Sequence, residues 1–116
     1  MDAPSKILVV DDDDDVLQAA RLYLKQHLAE VHTESDPEKI PSLLANTNYD
    51  VILLDMNFGP GESSGQQGLD WLERILGIDP QLVVVMITAH GSVDTVVEAM
   101  KLGAMDYVSK PWQNEK

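Results

Sequence analysis

Val51-Ile52-Leu53-Leu54-Asp55 decides the reading of this chain: four apolar residues run straight into a carboxylate, and Met56, Asn57 and a glycine-studded stretch follow. A short unbroken apolar run of this kind reads as a strand buried on both faces of a parallel sheet. In open α/β folds ligands bind outside the carboxyl ends of the strands, so a charge placed here stands at the mouth of the sheet. Taken alone, Asp55 could simply cap a turn.

Working outward, two more strong runs appear. Lys6-Ile7-Leu8-Val9-Val10 leads into Asp11 through Asp15, and Leu82-Val83-Val84-Val85-Met86-Ile87 leads into Thr88-Ala89-His90-Gly91. Two weaker runs, Glu30 to Glu34 around Val31 and Asp106-Tyr107-Val108-Ser109 before Lys110-Pro111, read as edge strands. Between them lie residues at helical spacing. Val16, Ala20, Tyr23, Leu24 and Leu28 form one stripe, behind Asp13, Asp14 or Asp15 as cap. Ile40, Leu43 and Leu44 follow the start signature Asp36-Pro37-Glu38, with Pro41 moving the start toward residue 40. Leu69, Leu72, Ile75 and Leu76 come next, with Gly77 as C-cap and Trp71 packing beside them. Val93, Val96, Val97 and Met100 face inward on the last, between Ser92 as cap and Gly103 as stop. The connection from Met56 to Gly68 is long, and reads either as a binding or mobile loop or as a tolerated surface insertion.

This alternation predicts an α/β fold, a doubly wound five-stranded parallel sheet with right-handed crossovers. Weak second and fifth strands suit the edges of the order 2-1-3-4-5, the flavodoxin-like arrangement.

Composition narrows the function. The 116 residues suit one domain, 1–116, able to bury about two-thirds of its surface without a disulfide or structural metal. The absence of cysteine excludes thiol catalysis and zinc thiolate sites. A net charge of −12, from 8 Lys and Arg against 20 Asp and Glu, argues against direct nucleic-acid binding and suits divalent cations and basic protein surfaces. Met1 to Lys6 lacks the features of a signal peptide, and the longest apolar run, Leu82 to Ile87, is too short to span a bilayer. A cytoplasmic location is expected, and no membrane partner.

At the mouth of such a sheet the strand ends deliver Asp11 and Asp12, Asp55, Thr88 and Lys110. Carboxylates gathered this closely repel, and a hard divalent cation with oxygen ligands relieves them. Lys110 is a mobile point charge suited to phosphate and Thr88 a hydroxyl donor. Carboxylate nucleophile, hard metal, hydroxyl and ammonium together point to phosphoryl transfer onto aspartate. Each feature alone has an ordinary structural reading; their coincidence at the correct strand ends carries the argument.

Val9-Val10-Asp11-Asp12, Asp55, Thr88-Ala89, Gly103-Ala104 through Tyr107, and Lys110-Pro111 resemble the receiver domain of two-component response regulators, the CheY-like fold, over nearly the whole chain. The resemblance implies Asp55 as phosphoacceptor. It also implies Mg²⁺ held by Asp11, Asp12, Asp55 and the backbone carbonyl of Asn57, with Asp13 as the alternative on a one-residue slip. Thr88 and Lys110 would hold the phosphoryl oxygens, Tyr107 would be the switch aromatic, and the Lys110–Pro111 peptide would be cis. Asn57 and His90 would tune the lifetime of the phosphorylated state. The implied partners are a sensor histidine kinase and an output domain or partner protein meeting the fourth-helix/fifth-strand face; the resemblance also admits a homodimer. The loop after Asp55 is longer than usual for the family, and the final helix is largely absent from this chain. Asp55-Met56-Asn57-Phe58 and the ending Lys110 to Lys116 look like receivers of NtrC-like, sigma-54-dependent activators, which implies transcription regulation. The domain would be a switch rather than an enzyme, with at most self-phosphorylation from small donors and autodephosphorylation.

Two rivals remain. Asp12-x-Asp14-x-Val16 resembles the nucleophile motif of haloacid-dehalogenase-like phosphatases, with Asp12 as nucleophile, although Asp55 would then have no task. The other is a pseudo-receiver, a binding module with this fold and no phosphorylation.

Overall fold

A computed structural model describes residues 5–26, 30–58, 65–88 and 93–109. Five strands, β1 Lys6–Val10, β2 Glu30–Glu34, β3 Val51–Asp55, β4 Val83–Thr88 and β5 Asp106–Ser109, form one parallel sheet in the order β2-β1-β3-β4-β5. The expected topology holds, with the weak strands at the edges. Four helices connect them: α1 Asp14–Lys25, α2 Ile40–Asn46, α3 Gln66–Ile78 and α4 Val93–Leu102.

Side chains alternate across a strand, so each strand contributes to two cores. Leu8 and Val10, Ile52 and Leu54, and Val84 and Met86 share one cluster with Ile40 of α2, Leu69, Leu72 and Ile75 of α3, and Ala99 of α4. Val9 and Ile87 meet Leu17 and Ala20 of α1 on the opposite face. The covering is unequal. Leu53 and Val85 are only half-buried, and with Tyr23, Leu24 and Val108 they line an apolar groove between α1 and β5.

Asp13 caps α1, its side chain accepting the Asp15 N–H, and Asp14 and Asp15 fill the first turn, where negative charge complements the helix dipole. Asp36 caps a short 3₁₀ turn, Pro37–Lys39, and α2 begins at Ile40, as Pro41 foretold. Gly103, at φ 121°, stops α4.

Several inward and capping assignments are corrected. Gly77 is not a C-cap: α3 continues to Ile78 and Asp79 caps it, its N–H bonding Ile75 O. Gly68 is no loop residue, because α3 already begins at Gln66. Tyr23, Val97 and Met100 face outward, at 52%, 44% and 40% exposure. The turn of α1 that faces the sheet is centred on Leu17 and Ala20, and that of α4 on Ala99, so the larger apolar residues beside them lie off the contact. Trp71 packs as expected, buried with the Arg74 guanidinium 4.0 Å over its ring. Leu28, Ser92, the Lys110–Pro111 peptide and the start of a last helix at Trp112 lie outside the described residues.

At the β2 edge, His32 Nδ1 lies 2.7 Å from the Tyr49 hydroxyl and its Nε2 2.9 Å from Glu30 Oε2. Burial raises the Tyr49 pKa above its usual value, the Glu30 charge adds to this, and a hydrogen bond with Thr47 opposes both. A folded-state pKa above the unfolded one means that this contribution to stability is complete below about pH 10 and lost as pH rises through the raised value. Chemical denaturation across the alkaline range should therefore show a stability loss above that pH which is reduced in Tyr49→Phe.

The two glycines of α3 make opposite predictions. A Cβ on Gly68 would lie 2.6 Å from Met56 Cα and 2.9 Å from the Asp55 carbonyl oxygen, both backbone atoms, whereas one on Gly77 meets nothing within 4 Å. In urea titrations Gly68→Ala should lose about 1–3 kcal/mol through overpacking. Gly77→Ala should gain about 0.5–1 kcal/mol through helix propensity.

Candidate functional site

The acidic run after β1 divides by geometry into residues with different tasks. The Asp11 N–H bonds Glu34 O at 3.1 Å, carrying the β1–β2 ladder one residue past the strand, and its Oδ1 accepts the Asp13 N–H at 2.9 Å. Asp11 is fully buried, whereas Asp12 through Asp15 are exposed. Asp13 is committed to capping α1, so the one-residue slip is not favoured: the acidic group that gathers is Asp11, Asp12 and Asp55.

Strand register brings this about. Val10 pairs with Leu54 across β1 and β3, and each chain then continues into its aspartate. Asp55 pairs with Ile87 of β4, and Thr88 follows, so a hydroxyl-bearing residue stands one position past Asp55 on the neighbouring strand. Asp55 is 2% exposed and Thr88 5%. One carboxylate oxygen from each of Asp11, Asp12 and Asp55 lies within 4.8 Å of the others. Two of these three residues are buried, where water screens poorly and like charges repel most strongly. A set of hard oxygen donors around an acidic hollow matches Mg²⁺ or Ca²⁺ and not a soft metal.

The backbone after Asp55 is tied at each step. The Met56 N–H bonds Ile87 O at 3.0 Å, Met56 O accepts the Gly68 N–H at 2.9 Å, and the Asn57 N–H reaches Asp55 Oδ1 at 3.3 Å. Asn57 Oδ1 accepts the Gly65 N–H at 2.6 Å, and the Phe58 N–H donates to Gln67 Oε1 at 2.8 Å. Gly65 adopts φ 79°, and its Cα faces Thr95 of α4 closely enough that a Cβ would clash with the Thr95 methyl. The long connection is thus closed at its base by side chains of Asn57 and Gln67. Sequence reading passed over Gln67, Gly65 and Gly68 as site-supporting residues. The spacing of the two glycines was visible, but nothing local distinguishes a loop glycine from one pressed against backbone.

Tyr107 lies on β5 opposite Met86 and is 45% exposed. Lys110 and His90 lie outside the described residues; Ser109, just before Lys110, pairs with Thr88.

The profile of the response regulator receiver domain matches residues 7–116. This chain belongs to that family. Among curated relatives, the response regulator protein PilR of Pseudomonas aeruginosa is 35% identical over 91% of this receiver, and the alginate biosynthesis transcriptional regulatory protein AlgB of the same organism is 37% identical over 91%. The receiver spans only 23% and 22% of those proteins' lengths. The receiver domain of NtrX from Brucella abortus superposes with a TM-score of 0.80 at 31% identity, covering 92% of this receiver and 87% of that chain. The phosphatase rival falls on this match, and also on geometry: Asp14, the second acid of its motif, sits in the first turn of α1 outside the Asp11–Asp12–Asp55 group. No helix among the described residues is long and apolar enough to cross a membrane.

Repulsion in the acidic group is measurable without any phosphodonor. In divalent-free buffer Asp55→Asn should raise the melting temperature, by roughly 4–8 °C if about 1 kcal/mol of repulsion is relieved. Mg²⁺ should stabilise the wild type, by about 2.7 kcal/mol at one hundred times its dissociation constant, and the variant much less.

Proposed function

We propose that Asp55 is the phosphoacceptor of a two-component system and that a sensor histidine kinase supplies the phosphoryl group. The observation that carries this reading is the gathering of Asp11, Asp12 and Asp55 at the carboxyl edge of the sheet. One Asp55 oxygen attacks phosphorus, the phosphorus–nitrogen bond of the donor phosphohistidine breaks, and the electron pair leaves on the imidazole. Asp11, Asp12, Asp55 and the Asn57 carbonyl would hold Mg²⁺. When bound there, it would supply positive charge to offset that on the phosphoryl oxygens. Burial of Asp55 excludes water around the acyl phosphate, while its hydrogen bond from the Asn57 N–H orients the carboxylate.

Thr88 and Lys110 then hold the phosphoryl oxygens, drawing in the ends of β4 and β5. Tyr107, outward here, turns toward the space behind Thr88. A complete switch of this kind requires about 5.5 kcal/mol of differential preference. The surface it changes is already apolar and exposed: Val97 and Met100 on α4 and Met105 and Tyr107 at β5 are all at least 40% accessible. An output domain or partner protein docks on this face. The likeness to PilR and AlgB supports an NtrC-like transcriptional regulator as the whole protein, acting in the cytoplasm, with residues 1–116 as a receiver domain. His90 tunes the phosphate lifetime. With its Oδ1 committed to Gly65, Asn57 tunes it through the loop base.

Intact mass after incubation with Mg²⁺ and a small phosphodonor tests this. The wild type should gain one phosphate and Asp55→Asn none. No gain by folded wild type would favour the pseudo-receiver reading.

A further inference from the structure

The peptide unit between Asn57 and Phe58, two residues past Asp55, has its N–H held by a side chain. The two units before it are tied by main-chain bonds, Met56 N–H to Ile87 O at 3.0 Å and Gly68 N–H to Met56 O at 2.9 Å. The Phe58 N–H instead donates to Gln67 Oε1 at 2.8 Å. A trans peptide is planar, with its N–H and C=O pointing in opposite directions. Holding the Phe58 N–H toward Gln67 therefore turns the Asn57 carbonyl away from α3. Donation from that N–H also increases the negative charge on the carbonyl oxygen of the same unit.

Gln67 is itself well anchored. It is half-buried in the first turn of α3, and the next residue, Gly68, is pressed against the Asp55 and Met56 backbone. A Cβ there would meet backbone at 2.6 Å, and the Gly68 N–H bonds Met56 O at 2.9 Å, so the turn sits directly against the end of β3. Both ends of the Phe58–Gln67 hydrogen bond are thus referenced to the end of β3.

We propose that Gln67 is a positioning residue for the divalent cation: it accepts the Phe58 N–H and so aims and strengthens the Asn57 carbonyl as a metal ligand. This rests on the receiver reading of the acidic group. Groups that orient a metal ligand without touching the metal are commonly worth about 10–100-fold in affinity. Nothing in the connection's length or composition marks Gln67 for such a task; it follows from which peptide unit the side chain grips.

The test is calorimetric titration with Mg²⁺ of the wild type, Gln67→Met, Gln67→Glu and Asp55→Asn, with hydrogen exchange of the Phe58 amide followed in each. Methionine keeps the length and removes the acceptor, whereas glutamate keeps an acceptor oxygen at the same reach. Gln67→Met should weaken Mg²⁺ binding about tenfold and expose the Phe58 amide to exchange, and Gln67→Glu should restore both. A role confined to packing would lower the melting temperature of the metal-free protein and leave Mg²⁺ affinity unchanged. Should Gln67→Met not fold, Gln67→Leu takes its place. The proposal is overturned if the acceptor-less variant binds Mg²⁺ within twofold of wild type while Asp55→Asn is impaired. If the wild type and Asp55→Asn bind equally, or neither binds, the cation site itself is wrong and this inference falls with it.

Discussion

Two carboxylates almost excluded from water, Asp11 and Asp55, are held beside each other by the pairing of β1 with β3. Left to electrostatics they would separate, since like charges repel most where water is scarce. They cannot, because each directly follows a strand buried in the centre of the sheet. Val9, Val10 and Leu54 are fully buried, and releasing either aspartate would pull such residues from the core. Hydrophobic burial thus holds an electrostatically unfavourable arrangement, a group of carboxylates that could hold a metal ion.

The helices divide the remaining work. On one face α2, α3 and α4 cover the sheet, with Ile40, Leu72, Ile75 and Ala99 in the same cluster as the central strands. Among the described residues α1 alone covers the other face, with a groove beside Leu53, Val85 and Val108. The well-covered face is also the one that braces Asp55, because Gly68 brings α3 into backbone contact with Asp55 and Met56. Rigid support on that side contrasts with β5, whose described residues are all exposed and whose neighbour α4 shows Val97 and Met100 to solvent. A switch needs such a division: a fixed chemical centre and a lightly held surface that new contacts can move.

The connection after Asp55 runs from Met56 to Gly65, where the first turn of α3 is approached. Its base is closed by Asn57 to Gly65 and Phe58 to Gln67, and Gly65 sits against Thr95 of α4. These two hydrogen bonds tie the described ends of the connection to each other. Loop-closure entropy rises slowly with length, so such a connection costs the fold little once its ends are tied.

Much of this was legible in the chain itself. Strand identity followed from unbroken apolar runs, and strand order from which runs were weak, because burial on both faces selects continuous hydrophobicity. The site residues Asp11, Asp12, Asp55 and Thr88 were visible because strand ends in a parallel sheet share one edge. Tertiary structure alone decided what depends on neighbours distant in sequence. Periodicity places Tyr23, Val97 and Met100 on apolar stripes but cannot say which part of a stripe meets the sheet, and all three face solvent. Gly77 and Gly68 look alike on paper as helix breakers; one lies in open space within a helix and the other fills a gap too narrow for a methyl group. The contact of Gln67 has no local signature, since the N–H it accepts lies nine residues away in the chain. Sequence determines pattern through local chemistry, whereas close approach between segments exists only once they have packed.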